Sequence, residues 1–517
     1  MVILHPSQLL LAQLPQWQLL LVLLLPLLLS LVLAARSRNG LRLPPGPAPL
    51  PVLGNLHQLG ALPHRSMREL ARRHGPVMLL RLGMTRLLVA SSASVAREVL
   101  KANDSACCTR PACPGANRLS YGFKSVAFAP YGETWREMRG IFMADILSAR
   151  RVRDAWAARQ DQADRIVAAL ALASGKPVPL GEHVFAFIHG VMGTAMLGNV
   201  LGAGVLAVAG EEKRFQLVLD EAMDIAATFT AEDFFPNAAG RLVDRLTGIV
   251  GRRDRIFADL DGFFETIVEQ HLDPARPRKP EDGGDLVDVL VGLWRQGRHG
   301  LTRDHIKGII MDTFVGGIDA TSVTILWAMS ELVRHPRVLK KVQHEVRAVA
   351  DGRRIQPDDM PKLSYLRMVV KETLRLYPPA TLLLPRETMR HVSIGGYEVP
   401  AGTRVAVNAW AIGRDPASWG DGAEEFDPDR FAGGEVDLHG AHLELVPFGA
   451  GRRLCPGRSM ALMNVEFALA SMLCGFEWAL PEGTKAEELC MEETGGLTFH
   501  RKTPLLLVPT TYVPPRA

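Results

Sequence analysis

Cysteine is scarce in this sequence, and the few cysteines show no spacing typical of a disulfide framework. There are six among 517 residues, and three of them, Cys107, Cys108 and Cys113, lie close together. No C-x-x-C pair and no histidine pair accompanies those three, which argues against a zinc site there. The sequence therefore disfavours a disulfide-built extracellular fold and predicts reduced cysteines in a reducing compartment.

A strong net charge and nucleotide-binding motifs are also missing. The formal charge is only +4, and no basic run is interleaved with aromatic residues, which argues against a nucleic-acid partner. Neither a G-x-G-x-x-G fingerprint nor a Walker loop is present, so no flavin or nicotinamide motif is found. A near match to G-x-S-x-G at 457–461 lacks the buried strand that a serine hydrolase needs before it.

The N-terminus has no charged residue between Leu9 and Ala35. About 20 apolar residues are enough for a helix to cross a bilayer. Arginines follow this run and no Lys or Arg precedes it, which favours an uncleaved anchor with the downstream chain in the cytosol. We therefore predict a transmembrane anchor over 1–35, a basic, proline-rich hinge over 36–55, and one globular domain over 56–517.

Most of the globular part shows the three- and four-residue apolar spacing of amphipathic helices. Short strand-like runs occur at 77–83, 86–92 and 392–408. The stretch 273–285 is rich in proline, glycine and charge, and it predicts a surface loop instead of a domain boundary. The sequence predicts a mainly α fold with small β-sheets near both ends of the globular part.

One long helix is predicted over 302–334, with Thr302 as its N-cap and Pro336 just beyond its end. It is apolar nearly all round, so it must be buried. A Gly-Gly pair at 316–317 and the carboxylate of Asp319 are costly in such a helix. Either close helix packing and a satisfied aspartate explain them, or a flat ligand presses on the backbone where the helix kinks or forms a π-bulge.

A single cysteine, Cys455, lies in the segment PFGAGRRLCPG at 447–457. It is a redox or nucleophilic thiol, a structural residue, or a metal ligand. The glycines remove side chains from one face, so that a bulky flat group can approach. Backbone N–H groups and the start of the helix-like run that follows would stabilise a thiolate there. An iron held by a thiolate needs such hydrogen bonds onto sulfur and limited water.

The pattern F-x-x-G-x-R-x-C-x-G at 448–457 resembles the haem-ligand signature of the cytochrome P450 monooxygenases. W-x-x-x-R at 135–139, E-x-x-R at 372–375 and FDPDRF at 426–431 match further motifs of that family, in the same order. The apolar N-terminus and the proline-rich segment after it match as well, so the resemblance covers essentially the whole chain. It implies the cytochrome P450 fold with an N-terminal membrane-anchor helix, as in plant microsomal members.

The resemblance also implies haem b (iron protoporphyrin IX) as the cofactor, with Cys455 as the axial ligand of the iron. The residues implied to bind the haem and its propionates are Trp135, Arg139, Arg386, Phe448, Arg453 and Cys455. The residues implied to brace the haem-side core as a buried carboxylate–arginine network are Glu372, Arg375 and Arg430. Electrons from NADPH would arrive through a separate NADPH–cytochrome P450 reductase at the endoplasmic reticulum membrane, and O2 would be the co-substrate.

In the family an acid followed by a threonine in the long helix delivers protons for oxygen activation. Here the acid is Asp319, the next residue is Ala320, and Thr321 follows. Alanine has no hydroxyl to donate a proton or hold a water. Asp319 and Thr321 are thus the expected catalytic residues. Either Thr321 or a water substitutes, or the substrate brings its own hydroxyl, or the reaction needs less proton delivery than ordinary hydroxylation.

The substrate class follows mainly from resemblance. Segments 230–246, 408–419 and 491–505 look like those of plant oxime monooxygenases, which implies conversion of an aromatic aldoxime to a nitrile and a hydroxynitrile in cyanogenic glucoside synthesis. The segments expected to line the pocket are mostly small or apolar, which suits a small hydrophobic or aromatic substrate; they are 114–128, 227–233, 314–320, 380–384 and 496–499. The alternatives are a hydroxylase of a flavonoid, terpenoid or indole, and a haem-binding relative whose catalysis is impaired by Ala320.

Overall fold

The computed structural model describes residues 41–198, 211–228, 230–276 and 284–513. The predicted anchor over 1–35 lies outside the described residues, as does the centre of the 273–285 segment. The described ends of that segment join two helices, as expected for a loop.

Helices make up most of the described chain, which confirms the prediction of a mainly α fold. In chain order they are α1 (Pro63–His74), α2 (Ala93–Arg97), α3 (Asp104–Cys107), α4 (Pro114–Leu119), α5 (Glu133–Ile141), α6 (Ala149–Asp154), α7 (Trp156–Leu172), α8 (Leu180–Leu197), α9 (Glu211–Ala227), α10 (Ala231–Phe234), α11 (Ala238–Leu246), α12 (Ile249–Leu272), α13 (Leu286–Arg295), α14 (Arg303–Phe314), α15 (Ala320–Arg334), α16 (Pro336–Ala350), α17 (Ser364–Leu376), α18 (Ala409–Ile412), α19 (Pro416–Trp419) and α20 (Arg458–Gly475). Segments of π-helix occur at Glu98–Ala102, Phe142–Ile146 and Val315–Asp319, and 3-10 turns at Leu56–Gln58, Arg298–Gly300, Pro357–Lys362, Pro428–Phe431, Gly451–Arg453 and Ala486–Glu488.

The strands form small sheets, as the sequence predicts. They are β1 (Val77–Leu82), β2 (Thr85–Ala90), β3 (Val178–Pro179), β4 (Arg386–Glu387), β5 (Val392–Ile394), β6 (Tyr397–Val399), β7 (Arg404–Val407), β8 (Phe476–Ala479), β9 (Glu493–Thr494), β10 (His500–Arg501) and β11 (Leu506–Thr511). The largest has the order β1-β2-β7-β4, with β2 parallel to β7 and the other neighbours antiparallel. Its register pairs Leu79 with Leu88 and Leu88 with Val405, which brings the early strands and the late 392–408 region into one sheet.

The helix predicted over 302–334 is present as α14, a π-helical segment and α15. Thr302 is the N-cap, and α16 begins at Pro336, so both predicted ends are confirmed. The π-helical turn spans Val315–Asp319, which includes the glycine pair. Of the kink and the π-bulge that the sequence leaves open at this place, the structure has the π-bulge.

The core is built around α15, which packs against α8, α17 and α20. Trp327 and Phe314 on the long helix are almost completely buried. Among the described residues, two helices are long and apolar enough to cross a bilayer, namely Leu180–Leu197 and Arg303–Arg334. More than half of each lies buried inside the protein, as expected of core helices.

The described part of the proline-rich hinge, 41–55, contains no helix. It lies against β1, where the Leu79 N–H donates to the Pro45 carbonyl at 2.8 Å and the Asn55 N–H donates to the Arg81 carbonyl. Proline rings prevent helix formation, so this part of the chain stays extended and bonds to the sheet.

Candidate functional site

The Cys455 segment is a tight loop held in left-handed backbone conformations. Gly449 and Gly451 both have φ of +69°. A Cβ on Gly451 would overlap the Leu100 carbonyl oxygen, so only glycine fits there. The Cys455 N–H donates to the Phe448 carbonyl at 3.0 Å, which closes the loop. The loop therefore presents one thiol in a fixed position.

Hydrogen-bond donors surround the Cys455 sulfur. Burial raises the pKa of the thiol, whereas the backbone N–H groups of Gly457 and Arg458 and the charge of Arg139 act in the opposite direction. Helix α20 begins at Arg458, so its positive end lies beside the sulfur, as the sequence predicts. In these surroundings the sulfur is more stable when bound to a metal cation, which takes the place of the thiol proton, than as a free thiolate.

Two guanidinium groups lie close to the indole ring of Trp135. The Arg453 guanidinium is 4.1 Å from the ring centroid and that of Arg139 is 5.6 Å from it. The indole N–H donates to the Val126 carbonyl at 3.1 Å, and Arg139 donates to the Leu454 carbonyl at 2.7 Å. The structure thus brings these three predicted residues together beside the Cys455 loop.

Arg386 is anchored by a carboxylate that the sequence analysis missed. It donates to Asp104 at 2.8 Å and to the Ala450 carbonyl at 2.7 Å. Asp104 is buried in α3 and also accepts the Arg452 backbone N–H at 2.9 Å. No local pattern marks Asp104, because its partners lie hundreds of residues away in the chain.

A further arginine, Arg110, was also missed. It is buried, and its hydrogen bonds to described residues go to the carbonyls of Ala127, Leu384 and Pro385, at 2.8–2.9 Å. Burial first, and then the charges of Arg453 and Arg386, hold its pKa well below the usual range. In the sequence Arg110 is a lone arginine before a proline, and that signal is too weak to identify it as a site residue.

These buried cations provide a test of whether the site fits a haem. Arg110 and Arg453 donate to backbone carbonyls, so their positive charges are not neutralised by those contacts. Buried cations need nearby anions, and haem carries two propionates. On the long helix, a Cβ built on Gly316 would meet only open space. A thiol ligand, surplus buried cations and an open face of the helix fit haem.

Asp319 ends the π-helical segment, and its carboxylate is held by the C-terminal part of the chain. It accepts the Thr498 hydroxyl and lies 3.1 Å from His500 Nε2. Neither partner was predicted as a site residue, although Thr498 falls in the predicted pocket segment 496–499. Thr321 is buried, and its hydroxyl has no hydrogen-bond partner among the described residues.

The carboxylate–arginine network has the expected partners. Glu372 accepts from Arg375 through two bonds of 2.6 and 2.7 Å and from Arg430 at 2.9 Å. It also accepts the Asp427 N–H at 2.8 Å. The side chains of Glu372 and Arg375 have no exposed area. The network joins α17 to the segment that precedes the Cys455 loop.

The structure also places several predicted pocket segments together. The Ala127 N–H donates to Asp312 on the long helix at 2.9 Å, which ties the 114–128 loop to that helix. The Phe499 N–H donates to the Pro379 carbonyl at 3.2 Å, next to the 380–384 segment. The predicted segment 227–233 is not joined to the long helix by any hydrogen bond between described residues.

The remaining cysteines do not form a metal site in the described part of the chain. All six cysteines are free, and Cys107 and Cys108 are buried. Among the described residues, the group with suitable spacing for a metal ion is His271, Asp285 and Asp288. Arg276 already binds both of these carboxylates, at 2.5 and 3.0 Å. An ion pair therefore occupies this cluster.

Comparison with known proteins gives consistent matches. A family model described as Cytochrome P450 matches residues 44–508. The chain is 58% identical to a 4-hydroxyphenylacetaldehyde oxime monooxygenase of Sorghum bicolor, over 97% of each chain. It is 45% identical to a 2-methylbutanal oxime monooxygenase of Manihot esculenta, over 96% of this chain and 97% of the other. Among solved structures, a zebrafish cytochrome P450 with progesterone matches with a TM-score of 0.74 and 25% identity, over 87% of this chain and 99% of that one.

Proposed function

The chain belongs to the cytochrome P450 family, and on that premise we propose that it converts an aromatic aldoxime to a nitrile and then to a hydroxynitrile in plant specialised metabolism. The observation that carries the proposal is the 58% identity over 97% of the chain to an oxime monooxygenase of sorghum. The relative from cassava is named for an aliphatic oxime and is only 45% identical, so an aromatic substrate is favoured.

Members of this family use haem with O2 and NADPH-derived electrons supplied by a reductase. When bound, the haem supplies the oxygen chemistry, and the thiolate ligand donates electron density to its iron. In this chain Cys455 would be the ligand, with Phe448 in its loop. The residues that would hold the propionates are Trp135, Arg139, Arg386 and Arg453, joined by Arg110. Glu372, Arg375 and Arg430 would brace the Cys455 side of the core.

The proton chemistry belongs to the chain's own residues. Asp319 would hold a proton at its carboxyl and release it to the departing hydroxyl of an oxime or to oxygen. The Thr321 hydroxyl, which has no hydrogen-bond partner in the described part of the chain, lies two residues further along the same helix and would hold a substrate or a water. Oxime dehydration consumes fewer protons than hydroxylation, which makes Ala320 tolerable for the first step.

We place the protein at the endoplasmic reticulum membrane with one N-terminal span and a cytosolic catalytic domain. Exposed apolar side chains cluster along the chain that follows the anchor and on elements beside it; they include Leu50, Val52, Leu53, Met84, Leu242 and Leu246. The Gly83 N–H donates to the Leu53 carbonyl and the Met84 N–H to the Phe234 carbonyl, which links the hinge, the β1–β2 turn and the chain leading to α11. An apolar surface of this kind suits contact with lipid. The redox partner would be the NADPH–cytochrome P450 reductase of that membrane.

The test is a reconstituted assay in microsomes with reductase, NADPH and a panel of aromatic aldoximes, flavonoids, terpenoids and indoles. We expect aromatic aldoximes to be consumed, with nitrile and hydroxynitrile as products. Turnover of a flavonoid, terpenoid or indole alone would refute the oxime assignment.

A second candidate function is a haem-binding protein with impaired catalysis, which is motivated by Ala320. Its signature would be the red-shifted Soret band of a thiolate-ligated, reduced carbon monoxide complex without turnover of any substrate in the panel.

A further inference from the structure

The carboxyl of Asp319 is the centre of a polar cluster that contains a histidine. His500 Nε2 lies 3.1 Å from both carboxylate oxygens. Thr498 Oγ1 donates to one of these oxygens and is 3.0 Å from His500 Nε2. These residues lie 179 and 181 positions from Asp319 in the chain. The β9–β10 hairpin therefore brings the cluster to the middle of the long helix.

The cluster reaches from the interior to solvent. The Asp319 side chain is 13% exposed and that of His500 is 37% exposed. When Asp319 is ionised, the Nε2 atom that faces it must carry a hydrogen. The imidazole thus links a nearly buried carboxylate to water. An imidazole can both donate and accept a proton.

The charged groups of the neighbouring elements face other partners. Glu493 on β9 pairs with His64 and Arg65. Arg501 on β10 donates to Ser330 and to the Cys490 carbonyl. From α8, the ring of Phe185 lies parallel to the imidazole at 6.3 Å, and His189, one turn further on, faces Phe215 and Phe314. Among these residues, Asp319 is the carboxylate that His500 contacts.

We propose that His500, with Thr498, positions the Asp319 carboxyl and supplies it with solvent protons. In each transfer the His500 imidazolium gives its Nε2 proton to an Asp319 oxygen and becomes a neutral imidazole with its hydrogen on Nδ1, and a hydronium ion from solvent then returns one proton to Nε2. No electrons move. Thr498 orients the carboxyl, and both residues act through Asp319, so they are positioning residues. The inference rests on the proposed role of Asp319 in the reaction.

The first test compares wild type with His500→Gln, which keeps a hydrogen-bond donor but cannot titrate. A well-placed general acid contributes about 10²–10⁴-fold to a rate, so we expect kcat for hydroxylation to fall at least about tenfold while KM changes little. The pH profile of kcat should change, because glutamine cannot take up or release a proton. Thr498→Val should lower kcat less and keep the pH profile of wild type.

The second test does not depend on turnover. Apparent unfolding midpoints of the haem-loaded protein are measured at one scan rate for wild type, Asp319→Asn, His500→Gln and the double variant. If the Asp319 and His500 side chains stabilise each other, the unfolding midpoint of the double variant falls by less than the sum of the falls in the two single variants.

His391→Gln is the matched control, because His391 also pairs with a carboxylate, Glu398 at 3.4 Å, on the distant β5–β6 hairpin. It should leave kcat and its pH profile unchanged. If His500→Gln does not fold, His500→Asn replaces it. Unchanged kcat and pH profile in a folded His500 variant, or strictly additive midpoints, would overturn the proposal. If wild type consumes no aldoxime, the proposed substrate is wrong, and the kinetic test is run on the substrate it does hydroxylate.

Discussion

Substitution of Asp312 tests how the 114–128 loop is held against the long helix. It lies on α14 and accepts the Ala127 N–H at 2.9 Å, and it also interacts with the Val126 N–H and the Ser125 hydroxyl. Burial, opposed by these hydrogen bonds and by the charge of Arg110, raises the pKa of Asp312 from 3.8 to about 6. The substitution Asp312→Asn removes the charge and keeps the size of the side chain.

The sign and size of the change in stability follow from the linkage between protonation of Asp312 and folding. Because the pKa is raised in the folded state, the stability from protonated Asp312 is fully present below pH 3.8 and is lost as pH rises through about 6. A shift of about two pKa units corresponds to about 3 kcal/mol at most. An asparagine is neutral at every pH. Its oxygen can accept the two N–H groups, and its amide can donate to Ser125.

We therefore expect Asp312→Asn to unfold at a higher temperature than wild type at pH 8, by several degrees, and the difference to shrink toward pH 5. Thermal unfolding of the haem-loaded protein, followed by circular dichroism at one scan rate, measures this. Asp304→Asn is the matched control. Asp304 pairs with Lys124 of the same loop at 2.6 Å, but its side chain is 44% exposed, so a change of less than about 1 kcal/mol is expected.

One result would refute this reasoning. If Asp312→Asn lowers the unfolding temperature equally at pH 5 and pH 8, the carboxylate stays ionised in the folded protein. The attraction of Arg110 and the three donors would then outweigh the burial of the charge.

Four further substitutions test the site. Cys455→Ser should abolish turnover and the red-shifted Soret band, because a serine hydroxyl stays protonated at neutral pH; retained turnover would contradict the ligand assignment. Gly451→Ala should lower the haem content per protein, since φ is +69° and a carbonyl occupies the Cβ position, whereas Gly433→Ala, with open space around its Cβ, should not. Glu372→Gln should cost about 3–5 kcal/mol in unfolding free energy, measured by urea titration, because two guanidinium groups lose their carboxylate; a loss below about 1 kcal/mol would show that the network is not needed for stability. Ala320→Thr should raise hydroxylated product per NADPH several-fold and lower peroxide release, with little effect on nitrile formation; unchanged coupling would mean that other groups already deliver the proton.

Local features of the chain were predictable because their signals lie within a few turns of one another. The glycine-rich segment around Cys455 and the helix after it were predicted from neighbouring residues. The helix over 302–334 was predicted from its apolar periodicity and its N-cap, whereas the glycine pair and Asp319 left a kink, a π-bulge or close helix packing open at its middle. Such signals depend on backbone propensity and on periodic burial, which act over short distances.

Other features depend on which distant segments pack together. Asp104 reaches Arg386 across 282 positions, and Thr498 reaches Asp319 across 179. Arg110 can be buried because it donates hydrogen bonds to the carbonyls of Ala127, Leu384 and Pro385, which come from distant segments. No periodicity links such residues, since each is an ordinary charged or polar residue in its own segment. The sequence alone predicted Cys455 as the haem ligand and the long helix over 302–334. Tertiary packing decided which charges are buried, which groups pair with them, and that Thr498 and His500 lie against the Asp319 carboxyl.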